Sequence, residues 1–367
     1  MSCSQPVHEL PANGNLVMRR EDLMEGIASI LGSSAGAIRI EKVEVRKDVA
    51  PVIHVWGDSR DVSFFAKVFA AAQYPAAPRM ETPWERLESL NDPPRSAEAQ
   101  VAFEWKRANE LRVLGGAAHI PSPLGKSDAA RTIVWERVNG VRVDHLIARW
   151  GSRKEKERST AEALLQAGAW LRRIHVSSMQ SEQSVDVAQV FDTLREWTLR
   201  TRCSWDKDHT RALHLLSEAQ ESISGAGKIL SPITLTHGDF ALPNMMWDHK
   251  CQRLVILDFE HSDYRNSWHD LATLLSSFRS KLLNLFISKK LITGLEEAFW
   301  AGYGPVSSEV KRIVEAVALS RIFYYHLPRI ESRRQRRGWL RGAVASFYLA
   351  SVKNEVLERR LGIPPSL

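Results

Sequence analysis

Apolar residues along this chain follow two rhythms, and each predicts its own kind of structure. In the first part they come in short β-rich blocks: A-I-R-I-E-K-V-E-V-R at 37–46, P-V-I-H-V-W-G at 51–57 and V-S-F-F-A-K-V-F at 62–69. Runs this short, rich in β-branched and aromatic residues, predict strands. The first two, joined around Lys47–Pro51, form a hairpin that leads into the third, so three antiparallel strands are expected. A helix follows over A-E-A-Q-V-A-F-E-W-K-R-A-N-E-L-R-V-L at 97–114. After a turn at I-P-S-P-L-G, the strand T-I-V-W-E-R-V-N-G runs through Glu136 to a turn at Gly140.

Beyond Gly140 the spacing lengthens to that of helices. S-T-A-E at Ser159–Glu162 reads as a capping box, and Leu164, Leu171, Ile174 and His175 behind it share one stripe, which predicts His175 as a packed helix residue. Further helices are expected at Val187–Arg202, Arg211–Ser224, Leu271–Phe286, Gly294–Tyr303 and Ser308–Leu327. Two short buried strands interrupt this helical half on either side of a gap near His249–Gln252. The segment Gln73–Ala97, rich in Pro, Ala and charge, reads as an inserted loop. At 367 residues the chain is long enough for one large or two medium domains with a substantial core.

The chemistry concentrates between Thr236 and Asp270. The stretch reads T-H-G-D-F-A-L-P-N-M-M-W-D and, after the gap, L-V-I-L-D-F-E-H-S-D-Y-R-N-S-W-H-D. Asp239 and Asn244 stand five positions apart around Pro243, so one irregular loop can aim both into a single cavity. Asp258 ends an apolar run, which suits a carboxylate held at a strand's end. Phosphoryl transfer needs charge neutralised on the phosphates and a hydroxyl held in line. In that reading Asp239 takes or orients the proton of the attacking hydroxyl, while Asn244 and Asp258 offer hard oxygen ligands to Mg²⁺. Asp270 either caps the helix that follows or braces the catalytic loop, and His237 reads as structural. Alone, H-G-D is often only a turn and L-D-F-E only a strand end; in this order and spacing they read together as a phosphotransferase site.

H-G-D-x-x-x-x-N followed by L-D-F-E and a later W-H-D resembles the aminoglycoside phosphotransferase and choline kinase family. The resemblance implies an α+β, bilobal protein-kinase-like fold, with a small N-terminal antiparallel-sheet lobe and a larger, mostly helical C-terminal lobe. It places the nucleotide-binding lobe at 1–135, a hinge at 136–140 and the helical lobe at 141–367. Protein kinases share the D-x-x-x-x-N spacing, but the lysine two positions after their Asp is Ala241 here, which argues against a protein kinase. The family's strand lysine for the phosphates falls on Lys67, which otherwise reads as an edge lysine guarding a sheet. Its acidic partner is expected to be Glu104, although Glu98 and Glu110 have comparable helical spacing. The backbone at Glu136–Val138 is implied to hold the adenine edge. The loop Arg46–Ala50 has no glycine, so no phosphate cradle is assigned there.

Composition narrows the partners. Only three cysteines occur, Cys3, Cys203 and Cys251, without metal-ligand or disulfide spacing. No run of about 18 apolar residues and no secretory leader is evident, so neither a membrane span nor export is expected and the protein is placed in the cytoplasm. The net charge is +7, with arginines gathered between Arg329 and Arg341. No nucleic-acid motif accompanies them and Trp339 is the sole interleaved aromatic, so a nucleic-acid partner is not expected. A basic chain suits a neutral or anionic small-molecule hydroxyl acceptor better than a polycation. The expected cofactors are ATP and Mg²⁺, and the competing reading is a nucleotide-binding pseudokinase or regulatory scaffold without turnover. Nothing in the sequence names the acceptor, separates ATP from GTP or sets an oligomeric state.

Overall fold

A computed structural model describes residues 20–46, 52–59, 62–69, 96–148, 154–200, 206–221, 227–283, 287 and 289–322. The arginine-rich segment 329–341 and nearly all of the expected loop 73–97 lie outside these residues. The chain divides into two compact units.

The first unit draws on Met1–Arg79, Asp92–Lys106 and Ser122–Arg137. Helix α1 (Arg20–Leu31) precedes the strands β1 (Arg39–Arg46), β2 (Val52–Asp58) and β3 (Ser63–Phe69); helix α2 (Ala97–Gly115) follows, then β4 (Pro123–Ser127) and β5 (Thr132–Glu136). The five strands form one antiparallel sheet in the order β1-β2-β3-β5-β4. The expected three-strand meander is therefore present, widened by β5 and β4. Alternation along β3 sends Phe64, Ala66 and Val68 to one face, where they pack with Val55, Val134 and the α1 residues Leu23 and Ile27. Lys67 points to the other face.

The second unit takes Arg107–Pro121 and everything described from Val138 onward. One cut falls inside α2, whose last turns bond within the second unit, and the last cut falls between Arg137 and Val138. Arg107 pairs with Asp263 at 2.7 Å, and Arg173 donates to the Gly115 carbonyl at 3.1 Å. Its elements are β6 (Val141–Arg142), α3 (Val143–Ala148), α4 (Lys154–Ser177), β7 (Ser181–Asp186), α5 (Val187–Arg200), α6 (Asp206–Glu221), β8 (Lys228–Thr236), β9 (Met245–Asp248), β10 (Arg253–Ile256), β11 (Asp263–Asn266), α7 (Trp268–Arg279), α8 (Lys289–Tyr303) and α9 (Ser308–Arg321). Two three-stranded antiparallel sheets, β10-β9-β6 and β11-β8-β7, sit among the helices.

Several boundaries differ from the sequence expectation. Helix α4 begins at Lys154, ahead of the expected capping box, because K-E-K-E-R consists of good helix formers that extend it backward. Helix α7 closes at Arg279 into a short 3₁₀ turn, Ser280–Leu283, and α8 opens at Lys289. The polar strand β7, whose side chains are largely exposed, has no apolar alternation to betray it; pairing with β8 creates it. Among the described residues no helix is long and apolar enough to cross a membrane.

Helices α4 and α8 approach closely at two glycines. A Cβ on Gly168 would overlap the Phe299 carbonyl oxygen, and one on Gly302 the Leu165 carbonyl oxygen. Gly294, also on α8, faces open space. Alanine at Gly294 should therefore raise stability by up to about 1 kcal/mol through helix propensity. The same change at Gly168 should lower it by roughly 1–3 kcal/mol through overpacking. Urea unfolding of the two variants checks the opposite signs, and a gain at Gly168 would contradict the close approach.

Candidate active site

The loop after β8 turns sharply at Gly238, whose φ of 82° lies in the left-handed region and whose missing side chain leaves room for the His261 carbonyl. A carboxylate holds this turn in place. Asp270, fully buried in the first turn of α7, accepts the His237 N–H at 2.7 Å and the Gly238 N–H at 2.9 Å, one on each oxygen. Ser267 stands at the N-cap of α7, so Asp270 braces the loop and does not cap the helix.

His237 joins this loop to the end of β10. Its Nε2–H donates to the Leu257 carbonyl at 2.9 Å, while its Nδ1 accepts the Asp239 N–H at 3.3 Å. A carbonyl can only accept, so the ring is the neutral Nε2–H tautomer with both nitrogens committed. That leaves it a structural role, packed among Trp170, Phe240 and Phe259. Ser262 completes the lock by donating to the His237 carbonyl at 3.0 Å.

The three residues marked by the sequence are tied together by this scaffold. After Asp239 the chain makes a short 3₁₀ turn, Leu242–Asn244, which returns the Asn244 amide to Asp239: Nδ2 donates to the Asp239 backbone oxygen and to its Oδ2, both at 2.9 Å. With Nδ2 so engaged, Asn244 Oδ1 accepts no hydrogen bond among the described residues. The Asn244 carbonyl accepts the Leu257 N–H at 2.9 Å, which sets Asp258 beside it. Asp258 itself has φ 69°, a left-handed conformation that non-glycine residues adopt at a cost. Bonds at Leu257 and Ser262, on either side of it, hold this backbone conformation.

The donor set suits a hard cation shared with other oxygens. Among the described residues no group of three or more His, Cys, Asp or Glu side chains is arranged to hold a metal alone. One amide oxygen and one carboxylate leave most positions of an octahedral ion to water and phosphate, as Mg²⁺ prefers. Nearby carboxylates act on His261 as well: crowding around the ring disfavours its charge, but Glu260, Asp239 and Asp258 outweigh this and hold it above the ordinary histidine range.

In the first unit, Lys67 and Glu104 form a buried ion pair, Nζ to Oε2 2.8 Å, with side-chain exposures of 5 % and 3 %. The other two glutamates are placed elsewhere: Glu98 pairs with Arg131 at 2.6 Å and Glu110 with Arg107 at 2.8 Å. Glu136 ends β5 with its side chain exposed and its N–H given to the Ser122 carbonyl at 2.8 Å, so its own main-chain offering is the carbonyl. Val138 is half-buried, and its N–H meets no partner among the described residues.

A sequence model described as "Phosphotransferase enzyme family" matches residues 50–311, well over half of the chain. The chain belongs to the phosphotransferase enzyme family. It is an enzyme of the kinase type, with an alcohol group as acceptor. No curated protein matches this phosphotransferase in sequence. Among solved structures it is similar to an amicoumacin kinase in complex with AMP-PNP, Ca²⁺ and its ligand, at 13 % identity and TM-score 0.50, covering 93 % of this chain and 94 % of that one. It is also similar to a spectinomycin phosphotransferase in complex with ADP and spectinomycin, at 14 % identity and TM-score 0.49, covering 91 % and 94 %. At such identities the likeness speaks to fold alone, and the fold is the kinase-like α+β one.

The brace extends further than the sequence indicates. His175 Nε2 lies 3.5 Å from Asp270 Oδ2, and His175 Nδ1 lies 2.9 Å from the Tyr303 hydroxyl. His269 Nε2–H donates to the Gly238 carbonyl at 3.0 Å, and Ser277 Oγ accepts the Leu242 N–H at 3.2 Å. Burial pushes the Tyr303 phenol up to about 12, so it stays neutral. His269, inside W-H-D, and His175, on the stripe of α4, carried a signal; Tyr303 stands 128 residues from His175 with no motif around it.

Burial alone would raise the Asp270 carboxyl, but the bond to His175 and the influence of the adjoining His175 and His269 rings oppose this, and it rests below the ordinary carboxylate value. A carboxyl depressed on folding contributes stability above its unfolded value, about 4, and loses it as pH falls through the folded value. Asp270→Asn should therefore unfold more readily at neutral pH and lose less on acidification below about 4 than the parent. Parallel thermal melts across that range check this, and superimposable acid limbs would contradict it.

Proposed function

We propose that the protein transfers the γ-phosphoryl group of ATP to a hydroxyl of a neutral or anionic small molecule. The supporting observation is the Asp239–Asn244 turn. Nδ2 of Asn244 grips both the backbone and the carboxylate of Asp239, which restrains the Asp239 side chain and leaves the Asn244 amide oxygen without a hydrogen bond among the described residues.

In this reading Asp239 is the catalytic base that accepts or orients the acceptor's proton. Asn244 Oδ1 and the Asp258 carboxylate hold Mg²⁺, which when bound neutralises charge on the nucleotide phosphates. Lys67, held by Glu104, contacts those phosphates, while the Glu136 carbonyl and the Val138 N–H are the main-chain contacts for adenine. The amicoumacin kinase complex holds a nucleotide analogue with a divalent ion, and we carry that pairing to this enzyme. Dependence on a nucleoside triphosphate places the enzyme with the cytoplasmic pool. The chain's net charge of +7 argues for an acceptor that is not a polycation.

Screening the purified protein with Mg-ATP against sugars, sugar phosphates, aminoglycosides and choline tests the acceptor class, and rapid phosphorylation of an aminoglycoside alone would sink it. With an acceptor in hand, Asp239→Ala should lower turnover by roughly 10²–10⁴ with nucleotide affinity largely kept. Asp258→Ala should instead abolish the Mg²⁺-dependent part of the thermal shift produced by ATP. A parent-like shift in that variant would remove Asp258 from the metal site.

A further inference from the structure

Cations and carboxylates are unequally matched at one place in the second unit. Arg142, at the end of β6, makes a two-pronged pair with Asp144: Nε to Oδ1 3.0 Å and Nη2 to Oδ2 2.9 Å. Lys281, in the 3₁₀ turn after α7, reaches the same Oδ2 at 3.9 Å. Among the described residues neither cation has another ion-pair partner. Elsewhere in this unit Arg279 pairs with Glu296, and Arg107 with both Asp263 and Glu110. Here one carboxylate serves two cations, so among the described residues positive charge exceeds negative in a partly enclosed setting. The side-chain exposures are 39 % for Arg142, 24 % for Lys281 and 11 % for Asp144, so the cations are reachable from solvent while the carboxylate lies beneath. Burial, opposed by Asp144 and reinforced by Arg142, holds Lys281 below the ordinary lysine range.

The cluster also adjoins the catalytic loop by two routes. Arg142 pairs in register with Met246, two residues beyond Asn244. Lys281 follows α7, whose Ser277 accepts the Leu242 N–H inside the 239–244 loop. Two cationic heads converging on one oxygen are close enough for a single phosphate or carboxylate to touch both, with Arg142 supplying directional N–H donors and Lys281 a point charge.

We infer that Arg142 and Lys281, with Asp144 beneath them, form a subsite for an anionic group of the acceptor, so that the enzyme phosphorylates a hydroxyl compound already bearing a phosphate or a carboxylate. This rests on the phosphotransferase reading above and narrows its acceptor to an anion.

The test is a titration of the full-length, Mg-ADP-loaded protein with inorganic phosphate and separately with acetate, following the ¹⁵N side-chain signal of Arg142, assigned by its loss in Arg142→Gln. A saturable shift in the millimolar range is expected, weakened about tenfold or more in Lys281→Met and retained in Asp239→Ala, which separates this subsite from the transfer centre. The stronger of the two ions indicates which anionic group the acceptor carries. Absence of a saturable shift with either ion, or an equal response in Lys281→Met, overturns the subsite and leaves the cluster as a surface ion pair. The thermal shift with Mg-ATP is read on the same samples: its loss in the parent protein would count against the phosphotransferase reading, whereas its presence beside a silent Arg142 would count against the subsite alone.

Discussion

One buried carboxylate organises the loop after β8 in this enzyme's second unit. Asp270 receives two consecutive backbone N–H groups, those of His237 and Gly238, at the point where the chain leaves β8 and must reverse. Both donors are buried and would cost about 1–3 kcal/mol each if left unpaired. Only a carboxylate offers two acceptor oxygens in the right geometry without a proton of its own. Once the turn is pinned, the positive φ of Gly238 and the neutral tautomer of His237 follow, and the loop carrying Asp239 and Asn244 has one place to go.

From that constraint the rest of the site is assembled by short links of unlike kind. His237 connects the turn to Leu257, Asn244 connects it to the same residue through its carbonyl, and Ser262 closes the segment that includes Asp258. Each link is worth little by itself, but together they hold Asp258 in a conformation that it would not choose alone. Behind Asp270, His175 and Tyr303 extend the support into α4 and α8, the two helices that meet at Gly168 and Gly302. Packing of those helices and orientation of the loop after β8 are thereby one problem, so a change in either reaches the other.

The first unit solves a different problem with the same chemistry. Lys67 and Glu104 are almost fully buried, and a buried pair gives little net stability once both ions have been stripped of water. Its value lies in direction: β3 is a central strand, rigid on both sides, and Glu104 keeps the ammonium from wandering. The opposite face of β3 is wholly apolar and anchored on α1, and the period of two along the strand separates these duties.

The amino-acid sequence by itself determined the rhythm of strands and helices, the order and spacing of Asp239, Asn244 and Asp258, and the placing of Lys67 on a strand. These are local properties, carried by side-chain period and by neighbours a few positions away. Tertiary structure decided what local pattern cannot encode. All three of Glu98, Glu104 and Glu110 share one helix and comparable spacings, and only the position of α2 beside β3 gives Lys67 to Glu104 and leaves the others to arginines. Asp270 stood equally for a cap and a brace until two N–H groups more than thirty residues away were seen to meet it. His175 with Tyr303, and Arg142 with Lys281, share no motif at all. Their pairing arises because separate elements of the second unit bring charges and dipoles together that lie more than a hundred positions apart along the chain.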